Sequence, residues 1–83
     1  MIERIAVVAI WITDRSVVPS VNEILGKAHE IVRGRMGLPY RERRASVISL
    51  IVEGNTDQIS ALTGKLGMLP NVTVKSMYMT SAV

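Results

Sequence analysis

Residues Ile5 to Ile12 form an unbroken apolar run of Ile, Ala, Val, Val, Ala, Ile, Trp and Ile. Val47 to Val52 repeats the pattern, with Ser49 as its polar position. Side chains alternate faces along a strand, so a strand made from either run is apolar on both sides. Such strands belong in a sheet with both faces covered, and this requirement narrows the fold more than any other feature. Neither run reaches the about 20 residues of a membrane-spanning helix. The first ends at Thr13-Asp14-Arg15 with no small-residue cleavage site, so no secretory leader is expected.

The stretch 3–13 is therefore read as a strand. Asp14 and Ser16 follow with helix-start chemistry, because short polar side chains accept bonds from unpaired N–H groups. Pro19 suits a first helical turn, where a missing N–H costs little. Val17, Val21, Ile24, Leu25 and Ala28 recur at helical spacing. A short strand is expected from about Glu30 to Met36, and Gly37-Leu38-Pro39-Tyr40 is expected to bend the chain. Ala45 to Glu53 is a further strand, ended by Gly54-Asn55. Asn55 and Gln58 have capping-box spacing, and Ile59, Leu62 and Leu66 mark the buried stripe of a second helix. Gly67 is placed to cap that helix, Pro70 prevents its continuation, and Val72 to Met79 completes the pattern as a strand.

Strand, helix, strand, strand, helix, strand is the order of the ferredoxin-like βαββαβ fold, an α+β domain. The expectation is one domain spanning 1–83, with a four-stranded antiparallel sheet and two helices on one face. Right-handed crossovers place both helices on that face and leave the other bare. Because strands one and three are apolar on both sides, the bare face must be apolar too. An apolar patch of several hundred Å² marks an association site, so a homodimer or tetramer is expected. The composition agrees: 48% of the 83 residues are hydrophobic, which is rich for so short a chain.

The catalytic inventory is thin. The chain has one histidine, His29, and no cysteine, which excludes disulfides, thiolate metal sites and a two-histidine metal site. Gly64-Lys65 is followed by Leu66 rather than Ser or Thr, so it is no P-loop, and Gly64 is expected instead to give close helix–sheet contact. No catalytic group, metal or cofactor is expected. The net charge of +3 is unevenly placed, with Arg33, Arg35, Arg41, Arg43 and Arg44 in one short segment. That segment is either a solvated edge kept soluble by charge or a contact for phosphate, carboxylate or an acidic partner. If it binds, the expected ligand- or partner-binding residues are Arg35, Gly37, Pro39, Tyr40 and Arg41. Gly37 and Pro39 would fix a bend that brings the two guanidinium groups together.

The runs Gly34-Arg-Met-Gly-Leu-Pro-Tyr-Arg-Glu42, Ser46-Val-Ile-Ser-Leu-Ile-Val52, Ala61-Leu-Thr-Gly-Lys-Leu-Gly67 and Val72-Thr-Val-Lys75 resemble a family of small bacterial iron-only hydrogenase system regulators. The resemblance covers essentially the whole chain. It implies an ACT-like fold, similar to the C-terminal domain of nickel-responsive repressors, and a regulatory role linked to iron–iron hydrogenase. Those nickel domains use several histidines, so no nickel site is carried over. Amino-acid-binding ACT domains usually have a glycine after strand one, where this chain has Thr13-Asp14-Arg15-Ser16. The resulting expectation is a cytoplasmic, oligomeric, non-enzymatic module that binds a small molecule or a protein partner. The alternative is a nucleic-acid-binding protein that uses the basic hairpin, and a small accessory enzyme ranks below both.

Overall fold

The computed structural model describes residues 3–79, so the expected span 1–83 runs past them at both ends. The elements are β1 (Arg4–Ile12), α1 (Val18–Lys27), β2 (Val32–Tyr40), β3 (Ala45–Gly54), α2 (Thr56–Gly67) and β4 (Val72–Tyr78). Single 3-10 turns at Arg15–Val17 and Arg41–Arg43 precede α1 and β3. The strands form one sheet in the order β2-β3-β1-β4, and each neighbouring pair is antiparallel. This is the ferredoxin-like arrangement that the order of sequence signals implies.

The core lies between the helices and one sheet face. Ala6, Val8, Ile10 and Ile12 of β1 are buried with Ile48, Leu50 and Val52 of β3. They pack with Val21 and Leu25 of α1 and with Ile59, Leu62 and Leu66 of α2. Residues directly opposite in an antiparallel pair share a face. Hence Met77, Val7, Ile51 and Gly34 form one row across the other face. Lys75, Ala9, Ser49 and Met36 form the next, and Thr73, Trp11, Val47 and Leu38 a third.

Local chemistry accounts for the element ends. Asn55 accepts the Gln58 N–H at 2.8 Å, and the Gln58 side chain accepts the Asn55 N–H at 2.9 Å, completing the capping box. Three expectations need correction. Gly37 to Tyr40 is not a bend, because β2 runs through it in register with β3. Pro39 is tolerated since β2 is an edge strand, where a missing donor breaks no second ladder. The reversal comes later, at Arg41–Arg44, with Arg44 left-handed at φ 52°. Gly67 does not cap α2 in a left-handed conformation; α2 closes through Met68, and Asn71 takes the positive φ, 61°.

Gly64 makes no close helix–sheet contact: a Cβ there would meet nothing within 4 Å. The crowded glycine is Gly54, where a Cβ would sit 2.7 Å from Gln58 Oε1 and 3.0 Å from Ile31 Cγ2. Gln58 is held by the capping box and Ile31 is buried, so neither can withdraw freely. Gly54→Ala should therefore lower stability by about 1–3 kcal/mol. Gly64→Ala, in an open helix interior, should raise it by up to about 1 kcal/mol. Urea denaturation of the two variants checks the opposite signs.

Candidate binding surface

The face away from the helices has no cover. Met36, Leu38, Ile51, Ile5 and Met77 on it are 46–70% exposed, and Val7, Trp11 and Val47 are half-buried between them. The polar interruptions are Ser49, Thr73, Lys75 and, at one corner, Glu53. Glu53 accepts from Arg33 Nε at 3.2 Å, so that corner is internally neutralised. Large aliphatic side chains contiguous over four strands are unusual on a solvated surface.

The residues singled out on the hairpin separate onto different surfaces. Arg35 stands opposite buried Leu50 on the helix side, and its guanidinium donates to Asn22 Oδ1 of α1 at 2.6 Å. Gly37 shares that side, opposite Ile48, and Pro39 stands opposite Ser46 on the edge strand. Tyr40 lies at the end of β2 beside Trp11 of β1, with ring centroids 6.1 Å apart and planes tilted by 53°. Arg41 is past the strand end. Six residues of extended chain, roughly 20 Å, separate it from Arg35, so the two guanidinium groups do not converge.

A different group does converge. Trp11, Tyr40, Arg43 and Val47 line one recess, and Pro39 to Arg43 line the next. Arg41 and Arg44 line a third with Thr13, Asp14 and Arg15. Tyr40 and Arg43 are shared by the first two recesses and Arg41 by the last two, so the three lie side by side around the β2–β3 turn. The binding residues expected from sequence omit four of these members, Trp11, Arg15, Arg43 and Arg44. The topology carried the signal, because a split βαβ places the end of β1 beside the turn from β2 to β3.

Asp14 sits in this cluster. Its Oδ1 accepts the Ser16 N–H at 2.9 Å, and hydrogen bonding to Ser16 holds its carboxyl below the ordinary carboxylate range. A depressed native pKa means the contribution is present above the unfolded value and is lost as pH falls through the native one. The stability difference between wild type and Asp14→Ala should be constant at neutral pH and should shrink below the carboxylate range. Thermal melts from pH 7 to pH 2 check this, and a difference independent of pH would contradict it. Elsewhere, His29 Nδ1 lies 3.0 Å from the Gly26 carbonyl at the end of α1. Among the described residues no three His, Cys, Asp or Glu side chains gather as a metal site would require. No helix among them is long and apolar enough to cross a membrane.

Residues 4–76 match the TM1266-like family, which carries the provisional description iron-only hydrogenase system regulator. The chain belongs to this family. Protein TM1266 from Thermotoga maritima has the same fold at a TM-score of 0.93 and 34% identity, over 95% of this chain and 100% of that one. The C-terminal domain of the MgtC protein from Mycobacterium tuberculosis matches at 0.72 with 12% identity, over 96% and 92% of the two chains. A protein from Galdieria sulphuraria matches at 0.65 with 15% identity, over 99% of this chain and 48% of that one. The last two similarities concern the fold alone. No curated protein is significantly similar to the chain.

Proposed function

We propose that this TM1266-like protein is a non-enzymatic regulatory module of the iron-only hydrogenase system that works in the cytoplasm as a homo-oligomer. In this reading the part of the bare sheet face around Val7, Ile51, Met36 and Met77 meets a second copy of the chain, while its Trp11–Tyr40 end stays at the rim, where the β2–β3 hairpin, through Tyr40 and Arg41, contacts the ligand or partner. The observation that carries it is the uncovered aliphatic face centred on Val7, Ile51, Met36 and Met77. Four strands about 4.8 Å apart, with about six residues each at about 3.3 Å clear of the Trp11–Tyr40 end, project roughly 400 Å². Side-chain relief enlarges the buried area beyond this projection, into the range of a small interface. Lys75 is the unpaired cation on this face, on the edge strand β4 beside small Ala9, where its stem can lie flat. Arg35, Gly37 and Pro39 fit a supporting role in the hairpin better than direct contact.

Two measurements test the proposal. Sedimentation velocity at micromolar concentration should give a dimer or tetramer of the 9.1 kDa chain, and a single monomeric species would contradict it. In a host that makes iron-only hydrogenase, loss of the chain should change hydrogenase amount or maturation. Unchanged amount and activity would remove the regulatory half.

A further inference from the structure

We propose that the end of the sheet formed by the β2–β3 turn and the β1–α1 loop binds a nucleoside phosphate, with its ring against Trp11 and Tyr40 and its phosphates held by Arg41, Arg43 and Arg44. The inference rests on the reading of the hairpin as the contact segment and names the chemistry it would take. The tilted pair of rings offers a planar ligand an aromatic face next to Arg43. Aromatic stacking beside guanidinium groups suits a base joined to an anion.

Charge bookkeeping at this end supports an anion. Two basic side chains elsewhere are paired within 4 Å, Lys27 with Glu23 and Arg33 with Glu53. Among the described residues, Arg15, Arg41, Arg43 and Arg44 have no such carboxylate. Asp14 and Glu42 are the acidic groups nearby, and Asp14 is engaged by Ser16. Four cations against two anions leave an excess of +2 around the turn.

Arg44 adopts φ 52° where the chain reverses, a region where a side chain with a Cβ is disfavoured and glycine is not. A polymer is the poorer fit. Away from the turn, the sheet face carries Lys75 as its unpaired cation, whereas a bound strand needs a track of positive charge along its length.

Trp11 is the single tryptophan, so its fluorescence reports directly on the site. ADP should quench it saturably, and adenosine and inorganic pyrophosphate should each bind at least about tenfold more weakly. Arg41→Ala should weaken ADP binding about tenfold or more, as expected for loss of a charge-assisted contact. Arg44→Gly should weaken it similarly while raising the urea midpoint, because it relieves the left-handed backbone; a merely structural Arg44 would not separate these effects. Absence of any ADP response overturns the proposal. So does pyrophosphate binding as tightly as ADP, which would mean an anion site only, or oligothymidylate binding far more tightly than ADP, which would mean a nucleic-acid surface. Light scattering on the same samples keeps the two readings apart. A monomer that binds ADP supports this site and sinks the assembly, and an oligomer blind to ADP does the reverse.

Discussion

Ile51→Glu should convert the assembly to folded monomers. Ile51 is 49% exposed in the isolated chain and stands between Val7 and Gly34 on the bare face. A carboxylate there remains hydrated in the monomer, so the helix-side core is untouched. In a face-to-face assembly it is desolvated among Val7, Met36 and Met77; of the cations on this face, Arg33 is engaged by Glu53 and Lys75 lies two strands away on β4. Leaving a buried charge unpaired costs about 3–5 kcal/mol, which raises the dissociation constant by roughly a thousandfold. Sedimentation at micromolar concentration should then show monomer with an unchanged far-ultraviolet circular dichroism spectrum. A wild-type mass for the variant would place the interface elsewhere.

The adjacent position should behave oppositely. Leu50 is fully buried opposite Val8, under both helices. Leu50→Ala removes packing in the centre of a small core and leaves a cavity, at a cost of about 2–5 kcal/mol. A domain of this size holds only a few kcal/mol more than that in total. The melting temperature should fall by roughly 10–25 °C, in line with the scaling for domains of about 60–100 residues. A fall under 5 °C would mean that the sheet and helices are held mainly by something other than this core. Together the two variants separate the faces of one strand: position 50 should govern folding and position 51 assembly.

The parts legible in the sequence are those set by local chemistry and strict periodicity. The runs at Ile5–Ile12 and Val47–Val52 have the pattern of strands apolar on both sides, and β1 and β3 are the two central strands of the sheet. Asn55 and Gln58 form the capping box that their spacing implies. The parts that were not legible depend on neighbours distant in sequence. Gly37 and Pro39 are turn-formers by propensity, yet pairing with β3 draws both into an edge strand. Gly54 and Gly64 look equivalent as letters, and only the positions of Ile31 and Gln58 show which one admits no Cβ. The arginine cluster is legible as a cluster but not as a site. Strand alternation sends Arg35 to Asn22 on the helix side, while the chain reversal gathers Arg41 and Arg44 with Arg15.

The bare sheet face is proposed to meet a second copy of the chain. Isotope-filtered NMR on a mixture of labelled and unlabelled protein tests it most directly, because it reports only contacts between chains. Intermolecular cross-peaks should connect the methyl groups of Val7, Ile51, Met36 and Met77. Cross-peaks confined to the helix face, from Ile24, Ala28 and Ala61, or no intermolecular cross-peaks at all, would contradict it.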